Sequence, residues 1–310
     1  MFKVIYIRNA DPVFFTELDD RLQNCLRKLG VEVTQVELED LYFEWEGGKI
    51  SFFNKGELIE FDGLMNWGYM SPKHMQDFNY LIEAAESAGK VTLHSTNAEK
   101  ILQSKLLQGL RFAKHGVPIP KSMAAFTVNS IIKVVRSNFA QQERGVVKAL
   151  DGYGGDGVQL ARGQDEIISM ASKEVWKNHQ SVIQKFIPDS IGKSVRALCM
   201  NGQLVLACEF SDTGSDFRSN NGYHESLKLV SKMDQFKRYE EIALKAVNAI
   251  EPYLTVGGVD ILDSEVHGLQ VLEVNGWSDL WDSEKITGID TFQKVAESYF
   301  ARLKRHYHKE

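Results

Sequence analysis

Val147-Lys148-Ala149-Leu150-Asp151-Gly152-Tyr153-Gly154-Gly155-Asp156-Gly157-Val158 is the stretch that decides the reading of this chain. An apolar strand delivers a lysine and then breaks into a glycine-rich loop, whose bare backbone amides approach phosphate oxygens with no side chain in the way. No Gly-Lys-Ser/Thr opens a helix here and the apolar pattern resumes at Val158, so the pattern predicts a flap between two strands rather than a Walker loop. Taken alone, the segment is equally well a hairpin turn beside a solvated lysine. What changes the balance lies about a hundred residues later, where Asp260, Glu273 and Asn275 supply hard oxygen ligands of the kind magnesium takes. Together the two regions point to nucleoside triphosphate chemistry.

On Val271-Leu272-Glu273-Val274-Asn275 a period of two places Val271, Glu273 and Asn275 on one face and Leu272 and Val274 on the other. A four-residue turn over Glu265-Val266-His267-Gly268 pairs Ser264 with Leu269 and Leu262 with Val271, and sets Asp260 opposite Glu273. Two carboxylates across a ladder repel unless a cation lies between them. An isolated acid pair more often faces solvent at an edge. Here the neighbours Gly257-Gly258-Val259 and Val271-Leu272 are small or apolar, which favours a metal site.

Outward from these strands, apolar patterning predicts strands over residues 2–7, 31–36, 61–65 and 90–93 with helices over 14–29 and 74–88, an open α/β unit covering residues 1–97. Thr96-Asn97-Ala98-Glu99 caps a single helix running to His115, with Lys105 in its middle. Residues 98–187 read as an α+β lobe with strands at 121–126, 145–150, 157–161 and 181–187 and helices at 130–138 and 164–178. Residues 188–310 read as a second α+β lobe. It starts with a hairpin around Asn201-Gly202, continues with a helix over 232–250 and strands over 256–262 and 269–274, and ends in an amphipathic helix over 290–304. The hairpin register pairs Cys199 with Leu204 and Cys208 with Val195, too far apart along the ladder for a disulfide.

The 310 residues are 43% hydrophobic and 25% charged, a composition that buries a sizeable core in two or three packed units. A net charge of -6 argues against duplex nucleic acid or an anionic membrane as the main partner. Three cysteines, Cys25, Cys199 and Cys208, have no metal spacing and fit the cytosol; the apolar start at residues 1–9 is too short for a signal sequence or a span. Nothing in the pattern marks an oligomer interface, and self-association stays open.

These residues resemble the ATP-grasp superfamily and, within it, the RimK-type carboxylate–amine ligases that add α-L-glutamate or similar amines. The resemblance rests on Ser104-Lys105, Val147-Lys148 with its glycine loop, Gln184-Lys185-Phe186-Ile187, Phe217-Arg218-Ser219-Asn220, Gly258-Val259-Asp260-Ile261-Leu262, Glu273-Val274-Asn275 and Thr287-Gly288-Ile289-Asp290, in that order over residues 97–301. It implies an ATP-grasp fold: a pre-ATP-grasp α/β domain followed by two α+β lobes enclosing ATP. It implies Lys105, Lys148 and the loop glycines Gly154, Gly155 and Gly157 on phosphates, and Gln184, Lys185, Phe186 and Ile187 around adenine. Asp260, Glu273 and Asn275 would hold two magnesium ions, with manganese as an alternative. Arg196 and Arg218 would act at the reacting phosphoryl group, and Arg218, Asn220 and Trp277 would meet substrate. Two positions depart from the family: Ser194 stands where an Asp often precedes the arginine, and Asn275-Gly276-Trp277-Ser278 replaces Asn-Ser-Ser-Pro.

The implied reaction is ADP-forming amide or peptide bond formation through an acyl phosphate, between a small-molecule or peptide carboxylate and an amine such as glutamate, with no nucleic acid or membrane partner. A non-catalytic ATP-binding regulatory or scaffold protein of the same fold is the alternative, and a simple phosphotransferase a third. Trp277 and Trp281 read equally as core packing or as the wall of an acceptor pocket, and His224 as a loop residue within reach of substrate.

Overall fold

The structure is a computed structural model and describes every residue except 9–11, 68–71, 151–156, 177–179, 212–216, 218–225, 279 and 309–310. In chain order its elements begin β1 (Lys3–Arg8), α1 (Pro12–Lys28), β2 (Glu32–Glu37), β3 (Leu41–Glu46), β4 (Lys49–Asn54), β5 (Glu57–Ile59), β6 (Gly63–Asn66), α2 (Pro72–Ser87), β7 (Val91–Thr92), α3 (Thr96–Leu102) and α4 (Lys105–Lys114). They continue β8 (Ser122–Ala124), α5 (Val128–Asn138), β9 (Arg144–Ala149), β10 (Val158–Arg162), α6 (Gln164–Trp176), β11 (Ser181–Lys185), β12 (Lys193–Met200), β13 (Gln203–Ser211) and β14 (Ser226–Leu229). The last are α7 (Met233–Ile250), β15 (Gly257–Ser264), β16 (Gly268–Asn275), α8 (Trp281–Thr287) and α9 (Thr291–His308).

One compact unit comprises residues 1–99, 253–257 and 276–310. Its parallel sheet, in the order β2-β1-β6-β7, is the wound layer expected from the alternation of apolar strands with amphipathic helices. The crossover from β2 to β6 holds no α-helix, only a short 3-10 turn at Leu38–Asp40. Instead β3, β4 and β5 form a separate antiparallel sheet, which the strand pattern did not anticipate. Its signals are local: Gly47-Gly48 and Lys55-Gly56 are two-residue loops with positive φ at both positions, the geometry a tight hairpin requires. Leu41, Phe43, Ile50, Phe52 and Ile59 pack on the apolar cluster around Ile5, Ile7, Leu64 and Phe78.

The closing helices belong to this unit, not to the lobe expected over 188–310. The Tyr299 hydroxyl on α9 donates to the carbonyl oxygens of Leu64 and Val91 at 3.1 and 3.0 Å, and Ser298 donates to Thr255. Gly63 makes room for this: a β-carbon there would lie 2.3 Å from the Tyr299 hydroxyl. A buried tyrosine bridging two strands is a long-range arrangement that leaves no periodicity in the sequence.

The other unit, residues 100–252 and 258–275, holds two antiparallel sheets. The order β10-β9-β11-β8 packs against α5 and α6 through Ile131, Val135, Val147, Ala161, Ile167 and Ile183. The order β14-β13-β12-β15-β16 packs against α7. Two registers differ from expectation. A β-bulge between Leu198 and Cys199 shifts the hairpin by one residue, so Cys199 does face Leu204 but Cys208 faces Arg196 rather than Val195. All three cysteines are free and buried, and burial pushes the Cys208 thiol up to about 11. Among the described residues no helix is long and apolar enough to cross a membrane.

Candidate active site

The second bulge shapes the site. The turn after β15 is one residue shorter than expected, so Ser264 pairs with Gly268 and Ile261 with Val271; a bulge between Asp260 and Ile261 then restores Asp260 opposite Glu273. The extra residue is Leu272. In unbroken alternation Leu272 and Glu273 lie on opposite faces, but here both line one cleft while Val271 and Val274 are both buried. The bulge thus places an apolar wall beside the carboxylate.

β16 is also held from its flank. Gln108 on α4 is buried; its amide nitrogen donates to the carbonyls of Leu102 and Val274 at 2.9 and 3.1 Å, and its amide oxygen accepts from the Val274 N–H at 2.7 Å. The Val271 N–H donates to the Pro118 carbonyl. Gln108 therefore pairs the backbone between Glu273 and Asn275 as a neighbouring strand would. Its only sequence signal is a polar residue on the buried face of a helix, too common to single it out.

The expected continuous helix 96–115 breaks into α3 and α4, because Ser104 caps α4 by accepting from the Leu107 N–H. The break puts Lys105 at the first turn of α4 rather than mid-helix, and its own N–H donates to the Leu150 carbonyl at the root of the glycine loop. The Lys105 ammonium lies 3.7 Å from Glu273 and is largely shielded from solvent.

Lys148 sits on β9 between Val158 and Val182 of the flanking strands, and it is buried. Burial pushes its ammonium down to about 8; Glu273 and Asp260 act against the shift and Lys105 acts with it. Asp260, 2% exposed, is gripped by Arg196 through Nε and a terminal nitrogen at 2.8 and 2.9 Å, and it also accepts from the Asn275 amide at 3.3 Å. Each acid thus has a protein cation of its own, Arg196 on Asp260 and Lys105 on Glu273.

One cleft, whose mixed polar and apolar lining suits a small organic ligand, takes in three of these groups. Lys105, Lys148 and Glu273 form its polar end, and Val146, Val158, Ile187, Phe217, Leu262 and Leu272 supply apolar walls. Gln184, Lys185 and Phe186 line it, yet their polar heads point elsewhere. Gln184 donates to Ser122 at 3.0 Å, and the Lys185 ammonium pairs with Glu143 at 2.6 Å and bonds the Asn138 carbonyl. Phe186 has the Arg144 guanidinium 4.5 Å from its ring centre and meets Phe217 edge-on. What this segment offers the cleft is apolar stem and backbone.

Gly157 closes the glycine loop with φ of +69°, and its carbonyl accepts from the Ala149 N–H at 2.9 Å. Gly154, Gly155, Arg218, Asn220 and His224 lie outside the described residues. Trp277 belongs to the first compact unit, where it packs against the Ile5–Phe78 cluster, and Trp281 meets Phe292 and the Arg21 guanidinium. Core packing is the role visible for both.

Among the described residues no three His, Cys, Asp or Glu side chains converge on one point. Two opposed carboxylates with one amide nonetheless fit magnesium. That ion takes one or two protein carboxylates and completes its shell with water and phosphate oxygens rather than with an all-protein cage.

The RimK-like ATP-grasp domain profile matches residues 98–299. The chain belongs to the RimK-like ATP-grasp family. A probable alpha-L-glutamate ligase from Trichodesmium erythraeum is 30% identical over 70% of this chain and 70% of its own length. The ribosomal protein bS6–L-glutamate ligase of Escherichia fergusonii is 30% identical over 68% of this chain and 67% of its own. Among solved structures, the ATP-grasp ligase PsnB, complexed with a phosphomimetic variant of a minimal precursor, Mg and ADP, superposes with a TM-score of 0.68. It does so at 17% identity over 97% of this chain and 98% of PsnB. This RimK-like protein is accordingly a ligase of the ADP-forming carboxylate–amine class, with the ATP-grasp fold expected from its motifs.

Proposed function

We propose that this RimK-like protein uses ATP and magnesium to convert a substrate carboxylate to an acyl phosphate, then joins the acyl group to an amine, releasing ADP and phosphate. The observation that carries the reading is the convergence of Lys105, Lys148 and Glu273 at one end of an apolar cleft, with Asp260, Asn275 and Arg196 in contact behind them. Lys105 and Lys148 would neutralise the triphosphate; the apolar walls with the Gln184–Ile187 backbone would take the adenine. Asp260, Glu273 and Asn275 would hold magnesium, which when bound supplies Lewis-acid polarisation of phosphoryl oxygens.

In the first step a carboxylate oxygen attacks the γ-phosphorus in line and ADP leaves with the bridging electron pair. In the second an amine attacks the acyl carbon, loses a proton, and expels inorganic phosphate. Arg196, and Arg218 from the segment after Phe217, would stabilise the negative charge in both steps, with Asn220 toward the substrate. The glycine flap over 152–157 would keep water from the acyl phosphate. The change of sheet after β11 supports dividing the grasp into lobes at residues 187/188, behind a pre-grasp domain ending near residue 97. The naming of the relatives as glutamate ligases supports glutamate as the amine, with a peptide or protein carboxylate as acceptor.

The test is ADP release from ATP and magnesium across a matrix of carboxylates and amines. Release that requires one member of each class supports ligation. Nucleotide binding without turnover under every pairing sinks it in favour of a scaffold.

A further inference from the structure

The sheet β3-β4-β5 carries a surface that the nucleotide cleft does not use. Residues 37–60 contain seven carboxylates, Glu37, Glu39, Asp40, Glu44, Glu46, Glu57 and Glu60, against two lysines, Lys49 and Lys55. This segment of 24 residues therefore carries a net -5, close to the whole chain's -6. Both lysines already face acids: Lys55 pairs with Asp40 at 3.5 Å, and Lys49 stands opposite Glu46 in the register.

Within this acidic field runs an apolar row. Tyr42 pairs with Phe53 and Phe53 with Leu58, so the three side chains cross all three strands on one face, opposite to the face that packs on the core. The Tyr42 and Phe53 rings are stacked, 5.0 Å apart at 8°. Tyr42 is 45% exposed and Leu58 56%. Period two puts Glu44 and Glu46 on the same face as Tyr42. β3 is an edge of this sheet, so half of its backbone groups have no strand beside them. Two tight hairpin turns fix the platform before anything binds.

An exposed aromatic row beside an open strand edge marks a recognition surface, and its charge selects the occupant. A nucleic acid or anionic bilayer is repelled. A second copy joined edge to edge would set Glu44 and Glu46 against their own equivalents across an antiparallel ladder, where like charges destabilise. We propose that this face docks an extended, basic polypeptide segment: a strand that adds to β3, sets lysine or arginine side chains against Glu44 and Glu46, and sets an apolar side chain of that same face, two residues further on, against the Tyr42 ring at the end of the row. The inference is independent of the nucleotide site.

The probe is a blocked nine-residue peptide with lysine at its third and fifth positions, valine at its seventh and threonine elsewhere, with the peptide carrying glutamate in place of both lysines as control, titrated against the full chain by fluorescence anisotropy. Amide hydrogen exchange is followed over residues 41–46. Saturable one-to-one binding, slowed exchange in β3 and at least tenfold weaker binding in both Glu44→Lys and Tyr42→Ser support the proposal. The Tyr42 variant keeps every charge, so it separates docking from diffuse attraction. Circular dichroism and nucleotide binding establish that each variant is folded. Equal binding of the acidic peptide, unchanged affinity in Tyr42→Ser, or no added protection in β3 overturns it. So does a Tyr42-dependent doubling of mass in sedimentation, which makes the face a self-association surface.

Discussion

Lys148→Met should make this protein more stable while removing nucleotide affinity. The lysine is buried, and burial is the main reason its ammonium is held at about 8 against an ordinary 10.5. The folded state thus disfavours the charged form by about 2.5 pH units, which corresponds to about 3 kcal/mol at pH 7. Methionine fills similar volume with no charge, so at pH 7 the variant should gain stability of about that size. The sign follows from the two titrations. Below pH 8 the lysine is protonated in both states and the folded chain bears the full cost. Between about 8 and 10.5 the unfolded chain still binds the proton that the folded chain has released, so the wild type gains stability as pH rises. Above 10.5 both states are neutral and the advantage of methionine vanishes. Urea unfolding of both proteins at pH 7, 9 and 10.5, compared as differences so that other titrations cancel, measures this directly. A methionine variant that is less stable at pH 7, or a difference that stays flat from pH 7 to 10.5, refutes the electrostatic account of Lys148.

Glu273→Gln should abolish magnesium-dependent ADP release while leaving cooperative unfolding intact, and retention of near-normal turnover would remove Glu273 from the metal site. Gln108→Leu strips hydrogen-bond partners from the Val274 N–H and carbonyl, at about 1–3 kcal/mol for each buried group left unmet. Its loss should be visible both as a lower urea midpoint and as weaker magnesium-nucleotide binding by calorimetry, and an unchanged midpoint contradicts the strand-holding role. Gly157→Ala places a β-carbon 2.7 Å from that of Ala149 at a left-handed backbone position. The left-handed cost alone is about 1–2 kcal/mol, and thermal unfolding with nucleotide titration should show both lower stability and weaker binding; adding Ala149→Gly should restore only the part due to contact.

Much of this protein was legible in its sequence because the signals are local. Alternation of apolar residues set β1, β2, β9 and β13. The Asn201-Gly202 dipeptide set a hairpin, with Asn201 and Gly202 both at positive φ, and the resumed apolar pattern at Val158 marked the antiparallel pair of β9 and β10. Asp260 and Glu273 do lie opposite each other, although the shorter turn and the bulge that bring them there were not foreseen. A bulge adds one residue without altering composition, so period-two counting passes over it, and it set Leu272 beside Glu273 in the cleft while Val271, predicted to share the face of Glu273, is buried.

Tertiary structure decided the rest, where one group meets another far along the chain. The capping of α4 by Ser104 sets Lys105 against Glu273, which lies 168 residues further along the sequence. Gln108 substitutes for a strand because Val274 offers it a donor and an acceptor at the right spacing. The last helix joins the first sheet because Gly63 leaves space for one tyrosine hydroxyl. Residue type and spacing are properties of the chain itself, whereas depressing a lysine's pKa requires desolvation and neighbouring charge that exist only after folding brings distant strands together.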